Sequence, residues 1–513
     1  MDYLVGVDLG STSLKAVVYD KSGKAIAAGS RPTERFHPCP EHPEWTVWQP
    51  EQIWSGTAEA IRDAISQLDD ASKIRGLAVT GMGMDGLPID ADGKWLYPFI
   101  SWLDPRTAAQ HKWWLEHIGA DRTFSIGGNP VWAINSALRI RWMMEHESDI
   151  LAKADKWLLI EDFLNFMLCG RRATDYSMAS CMMLFDQRTR DWSADLLDAA
   201  GIDRRLMPEA LPATTHLGGV SARAAAETNL PEGTPVILGG HDHLCGSLPV
   251  GAYQPGVVLD VTGTWEIVSA AAAAPVLEPA LGQAGLTVQA HVARDTWAAW
   301  ASTPAGECLE WFRKLFGAED VRRAEAEGGS AWDYIVAAAE TAAPGAGGAM
   351  FLPHLSGSTG PVVDPASRGA FVGLRSMTTR GEMIRAIFEG LGYQFLDILG
   401  SLERGAGIRA EKVVAVGGAT RNTFWMQNKA DVSGRVVEAP DIEEATPLGA
   451  AMLAGIGTGL YDDADDACRH VYRPGATFQP NPEQTECYAK GFERYRQMYP
   501  ALKPINDQLA TEE

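Results

Sequence analysis

An apolar run at residues 4–7 leads into Asp8 and a small-residue turn, Gly10-Ser11-Thr12, and a second strand-like segment follows at 15–19. Asp20-Lys21-Ser22-Gly23 then supplies hairpin chemistry before residues 25–29, so the pattern predicts a three-stranded antiparallel unit. Apolar positions recur at helical spacing through residues 52–68, and 74–79 reads as a compact buried strand. Another hairpin is predicted to turn on Asp90-Ala91-Asp92-Gly93. Strands mixed with helices in this order predict an α/β fold.

A second unit starts near residue 235. The apolar run 235–238 meets Gly239-Gly240-His241-Asp242-His243, and residues 257–261 lead into Thr262-Gly263-Thr264. Asp8-Leu9-Gly10-Ser11-Thr12 and Asp260-Val261-Thr262-Gly263-Thr264 share one design, a strand carrying an Asp followed by a small-residue turn, which predicts an internal duplication. Two lobes are expected, 1–250 and 251–513, meeting around 246–256 where Gly246, Pro249, Gly251, Pro255 and Gly256 punctuate the chain. Further on, the strand at 413–416 runs into Gly417-Gly418-Ala419-Thr420-Arg421-Asn422 and a helix from Phe424. The last helix is predicted at 488–498, with a polar tail beyond it expected to fray.

A chain of 513 residues exceeds one ordinary core, which agrees with two lobes. Its formal charge of −22, from 44 basic and 66 acidic residues, argues against nucleic acid and against an anionic membrane surface. It leaves room for a single nucleotide, held by backbone N–H groups and a cation. The seven cysteines form no CxxC pair, so neither a zinc site nor a disulfide framework is predicted; reduced, mostly buried thiols are expected. The first residues carry no basic stretch, and no run approaches the ~18 apolar residues of a membrane span. A soluble, cytoplasmic protein is expected.

Four segments have the residue types for chemistry. Gly10, Ser11 and Thr12 offer N–H and hydroxyl donors to a phosphate, and Asp8 can hold hydrated Mg²⁺ beside it; an ordinary hairpin explains the same residues. The turn is neither GxGxxG nor a Walker A loop. Asp242, behind two glycines at the carboxyl edge of a sheet, suits a general base, although a polar strand end has the same look. A metal centre on His241-Asp242-His243 is disfavoured because adjacent residues on an extended segment point alternately to opposite faces, which makes three-way chelation awkward. Cys245 reads as core, and no G-x-S-x-G elbow supports a hydrolase. Gly417–Asn422 makes a flat platform for adenine or ribose, or a plain βα connection. Met84-Asp85-Gly86 with Trp102-Leu103-Asp104-Pro105-Arg106 sets aromatic faces beside carboxylates, as a sugar or simple surface packing requires. Trp45, Trp48, Trp54, Trp113, Trp114 and Trp142 read as packing residues.

Taken in order, these segments resemble the FGGY family of carbohydrate kinases, in the superfamily of actin, hexokinase and the heat-shock chaperone ATPases. Asp8–Thr12 resembles its first phosphate motif. Asn135–Trp142 with Glu145-His146-Glu147 resembles one signature, with Arg139 where Lys is usual. The second signature is matched by residues 369–374, Glu382-Met383 and 386–389, and residues 351–357 and 364–369 resemble the stretch before it. Gly417–Asn422 resembles the adenosine motif and residues 444–451 the helix after it.

The resemblance implies two ribonuclease-H-like lobes (the actin-like ATPase fold) closing over an interlobe cleft, with ATP and Mg²⁺ as cofactors and a small sugar or polyol as substrate. It implies Asp242 as the base and Asp8 as the Mg²⁺ organiser. Gly10, Ser11, Thr12, Gly263 and Thr264 would grip phosphates, with Gly418 and Asn422 beside the adenosine. Met84, Asp85, Trp102, Asp104, Arg106 and His243 would line the sugar pocket, and a homodimer is common in the family. Three positions depart from it: Asp85 stands where xylulose kinases usually carry His, Gly357–Pro361 lacks a usual Glu-Arg pair, and Trp265 follows the second phosphate turn and could narrow or cover it. The sequence leaves open a ketose or polyol kinase, an ATPase or nucleotide-dependent sensor on the same scaffold, and an unrelated α/β hydrolase.

Overall fold

The computed structural model describes residues 2–511; Met1 and the last two residues of the tail lie outside the described residues. In the N-terminal half, strands β1 (Tyr3–Leu9), β2 (Ser13–Asp20) and β3 (Ala25–Pro32) precede helix α1 (Pro50–Ile65) and β4 (Ile74–Gly81). Helix α2 (Ser136–His146), β5 (His216–Gly219), β6 (Pro235–His241) and the short α3 (Asp242–Ser247) follow. The six strands form one sheet in the order β5-β6-β4-β1-β2-β3. The first hairpins are antiparallel, whereas β4 and β6 run parallel to β1. Helix α1 starts on Pro50, whose missing N–H costs nothing at a first turn, and buries Ile53, Trp54, Ile61 and Ile65 against the sheet.

The C-terminal half repeats the plan. It contains β7 (Val257–Thr262), β8 (Trp265–Ala272), β9 (Thr287–Ala290), β10 (Trp297–Pro304), helices α4 (Gly306–Phe316) and α5 (Arg380–Gly405), and β11 (Lys412–Val416). Then come α6 (Thr423–Ser433), β12 (Val436–Ala439), α7 (Ala445–Gly457), β13 (Ala476–Phe478) and α8 (Pro482–Ala510). The sheet order is β9-β10-β8-β7-β11-β12-β13. Strands β7, β8 and β10 pair antiparallel, and β11 and β12 continue parallel to β7. With β5, β9 and β13 set aside as additions at the edges, both sheets have a core in the order third-second-first-fourth-fifth (β3-β2-β1-β4-β6 and β10-β8-β7-β11-β12), which is the ribonuclease-H-like arrangement twice over. The short echo between Asp8–Thr12 and Asp260–Thr264 is a trace of this repetition.

The two halves are not independent in space. Helix α7, from the C-terminal half, packs on the N-terminal sheet and shares a core with Leu4, Val17, Ala78 and Ile237. A Cβ on Gly6 would sit 1.8 Å from the Pro447 carbonyl oxygen, and one on Gly449 would sit 1.9 Å from that of Cys245. Helix α7 thus presses on β1 and α3 together. Gly449→Ala is expected to lower stability by about 1–3 kcal/mol or more by overpacking this contact, read as a reduced urea midpoint.

Two elements and the cysteines differ from expectation. Strand β6 continues through Gly239 and Gly240 to His241, with its register on β4 shifting between Ile237 and Gly240. The glycines serve close approach there rather than a turn, since a Cβ on Gly239 would lie 1.8 Å from the Val79 carbonyl oxygen. The final helix runs past Met498 to Ala510, through Pro500 and Pro504, with Tyr495, Met498 and Asn506 buried. Of the cysteines, Cys181, Cys245 and Cys308 are buried, Cys487 is exposed and the other three are half-buried.

Candidate active site

The carboxyl ends of β1 and β6 bring Asp8 and Asp242 together. Asp8 is the last polar residue of β1, and in the β1–β2 ladder it faces Lys15. Burial and the neighbouring Asp242 push its carboxyl up to about 8, with Lys15 opposing and Glu444 adding to the rise. Lys15 is itself held by Glu444, at 2.7 and 2.9 Å, just ahead of α7. Three carboxylates and one ammonium make this corner net negative, a place suited to a cation.

Asp242 opens α3, and its Oδ1 accepts the backbone N–H of His243 at 2.5 Å. Its side chain remains 35% exposed. The strand leading to it is fixed by Thr80, whose hydroxyl donates to the Gly240 carbonyl at 2.6 Å, and by Ser177, whose Oγ accepts the His241 N–H at 2.9 Å. His241 Nε2 lies 3.6 Å from Asp242 Oδ1. Burial lowers the pKa of His241, against the pull of Asp242, and drives that of His243 well down, so both favour the neutral form. Gln289 Nε2 reaches His241 Nδ1 and His243 Nε2, each at 3.2 Å. His243 stands edge-on to Trp300, with centroids 5.1 Å apart, and is only 6% exposed. Helix geometry separates the directions of Asp242 and His243, so the extended-segment reading of this tripeptide does not hold.

The first phosphate turn is exposed at Ser11 and Thr12 and braced from behind. Gly10 N–H donates to Ser13 O at 3.1 Å, and the Thr33 hydroxyl donates to Gly10 O at 2.8 Å. The second turn is built alike, with Gly263 N–H donating to Trp265 O at 2.9 Å. Its carbonyls at Gly263 and Thr264 accept N–H groups from residues 305–307 at the start of α4. Trp265 opens β8, 42% exposed, and its carbonyl closes the turn. Opposite, Gly417 takes φ +101°, and a Cβ there would lie 2.6 Å from the Thr262 carbonyl oxygen. The turns at 262–264 and 417–422 thus approach each other closely through their backbones. Gly418 is exposed, and Asn422 Oδ1 accepts the Trp425 N–H at 3.0 Å to cap α6, leaving its amide nitrogen available.

The cluster around Asp85 and Trp102 is more enclosed than its sequence suggests. Asp85 is fully buried, accepting from Trp48 Nε1 at 2.7 Å, Arg139 Nη1 at 3.0 Å and the Trp102 backbone N–H. Burial raises its pKa to about 6, with Arg139 as the main counterweight. Asp104 and Arg106 form a forked pair at 2.6 and 2.8 Å with no side-chain exposure, and the guanidinium lies 4.2 Å from the Trp45 ring centroid. Asp85, Asp104, Arg106 and His243 are each buried with polar partners inside the protein, so these side chains are enclosed where the sequence suggests open ones. Met84 is held at φ +81°, with its carbonyl accepting from Ser136 and Arg139. Among the cluster, Trp102 keeps partial exposure. Trp48, read as mere packing, in fact holds Asp85, and Lys15, Glu444 and Gln289 carry no local sign of their place beside Asp8 and the His241–His243 segment. Their partners lie far away in sequence, so periodicity carries no sign of them.

Two such lobes, with Asp8 and Asp242 together at the ends of β1 and β6, have the architecture of the actin-like ATPase class. Residues 3–248 match the N-terminal domain, and residues 259–458 the C-terminal domain, of the FGGY family of carbohydrate kinases. The chain belongs to that family, and it is a carbohydrate kinase. It is 32% identical over 482 residues to the L-fuculokinase of Escherichia coli K12, covering 94% of this chain and 98% of the relative. It is 28% identical over 512 residues to the xylulose kinase of Bacillus subtilis 168, covering 99% of both chains. The crystal structure of the xylulose kinase from Rhodospirillum rubrum superposes with a TM-score of 0.89 at 28% identity, covering 98% of this chain and all of the other. Kinases of this family use ATP with a metal ion. Among the described residues no helix is long and apolar enough to cross a membrane.

Proposed function

We propose that the protein transfers the γ-phosphoryl group of ATP to a hydroxyl of a ketose of the L-fuculose or D-xylulose kind, with Asp242 as general base. The observation that carries this reading is the placement of Asp242, partly exposed at the end of β6, beside Asp8 at the end of β1. Asp242 takes the proton of the sugar hydroxyl as its oxygen attacks the γ-phosphorus, and the bond to the ADP oxygen breaks. Asp8 would hold Mg²⁺; a carboxylate completed by phosphate oxygens and water fits that ion. The bound cation supplies charge neutralisation at the transferring phosphates.

Gly10, Ser11 and Thr12 on one side and Gly263 and Thr264 on the other grip the phosphates, with Gly418 and Asn422 flanking the adenosine. Trp102 and Met84 form the sugar wall, held from behind by Asp85, Asp104, Arg106 and His243. Lobes 1–250 and 251–513 close to exclude water, the competing acceptor. The greater similarity to an L-fuculokinase, 32% identity against 28% for a xylulose kinase, favours L-fuculose over D-xylulose. A panel of L-fuculose, D-xylulose, glycerol and gluconate with ATP and Mg²⁺, read as ADP release, is expected to give its highest kcat/KM with L-fuculose. ADP release that ignores every sugar would sink the reading.

A further inference from the structure

Lys429, on the inward face of α6, is buried without exposure and makes three side-chain bonds, all to residues of β7 and β8. Its ammonium donates to Asp260 Oδ2, to Glu266 Oε1 and, at 2.7 Å, to Thr262 Oγ1. Thr262 in turn donates to Asp260 Oδ1 at 2.8 Å. The rings of Phe395 and Trp425 complete the enclosure, each centroid 5.3 Å from Nζ. The bonded residues flank the phosphate turn Thr262-Gly263-Thr264, and α6 is the helix that the adenosine turn Gly417–Asn422 opens. The triad holds two carboxylates for one ammonium, and Glu266 Oε2 has no hydrogen-bond partner. Such an arrangement costs desolvation and is poorly explained by stability alone, because an apolar trio would serve that purpose as well.

We propose that Lys429, with Asp260, Thr262 and Glu266, is a positioning cluster that fixes the spacing between the phosphate and adenosine subsites. The proposal rests on the nucleotide-loop assignment made above. ATP spans both subsites, so an error in their spacing weakens ATP while sparing a ligand that occupies only one. The energetic role is that of an effective-concentration term: one subsite presents the ligand to the other. Burial pushes the Glu266 carboxyl up to about 8, against the Lys429 charge, so a shared proton can relieve the excess negative charge without breaking the tie.

The test is direct binding of ATP and of adenosine to the full chain, by calorimetry. Lys429→Met combined with Asp260→Asn and Glu266→Gln removes all the charges together. The expected result is an ATP Kd raised about tenfold or more with an adenosine Kd within about threefold of the parent. Thr262→Val, a smaller change that spares the ion pairs, is expected to move the ATP Kd in the same direction by about threefold, and decides the matter if the triple variant does not fold. A lower melting temperature with both Kd values unchanged would show a structural role only and overturn the proposal. So would adenosine and ATP weakening together. A Gly418→Val control separates the premises: if it leaves ATP binding intact, the nucleotide-loop assignment itself fails; if it weakens ATP while the triad variants do not, the triad alone is refuted.

Discussion

Asp242→Asn is expected to lower kcat for ketose phosphorylation by about 10²–10⁴-fold while leaving ATP affinity at the parent value. The substitution keeps the side-chain shape and an oxygen to accept the His243 N–H, so α3 should retain its geometry. What it loses is the ability to take a proton. ATP affinity is spared because the turns proposed to hold phosphate and adenosine lie on other elements. The measurement is a pair: initial rates by ADP release, and ATP binding by calorimetry. Transfer that survives within about tenfold would move the base elsewhere, and His241, 3.6 Å away, would become the first candidate.

The largest expected effect on stability is at Arg139. Arg139→Met removes the one charge facing Asp85 and a donor to the Met84 carbonyl, leaving a buried carboxylate without its partner. The expected loss is about 3–5 kcal/mol near neutral pH, read from urea unfolding. The pH dependence has a definite sign. The folded-state carboxyl of Asp85 already titrates near 6, above its value of 3.8 in an unfolded chain, so its contribution is fully present below pH 3.8 and is lost as pH rises through 6. Without Arg139 the folded pKa moves higher still. The penalty should therefore shrink at pH 5 and be largest at pH 8. Adding Asp85→Asn should restore part of the lost stability, because it removes the orphaned charge. A penalty that does not change between those pH values would assign the loss to packing instead.

The strands were legible because they obey local rules. The apolar runs at 4–7, 74–79, 257–261 and 413–416 all became strands, and the turn glycines between them fell where the hairpins and βα connections need them. The echo of Asp8–Thr12 in Asp260–Thr264 did reveal a repeated sheet. It did not reveal that the two aspartates have parted company. Asp8 stays beside Asp242 with its carboxyl pushed up by burial, whereas Asp260 is neutralised by Lys429, 169 residues away. Nothing local distinguishes them. The same holds for Asp85, whose neighbours in sequence suggest an open pocket and whose neighbours in space, Trp48 and Arg139, close it. At Gly239 and Gly240 the usual meaning of a glycine pair misled, because here the missing side chains let β6 lie close against β4 and Ser177.

The crossing of α7 bears on how the chain is made. The N-terminal sheet is fully synthesised at residue 241, yet the helix that covers β1 and steadies α3 ends at residue 457. At ordinary ribosomal rates the intervening 200-odd residues take roughly 10–40 s to emerge. During that interval the groove around Gly6 and Leu4 is an apolar surface with no cover of its own. The first half of the kinase must therefore wait for the second, and truncation before residue 445 removes the lid from a core that the missing half was meant to finish.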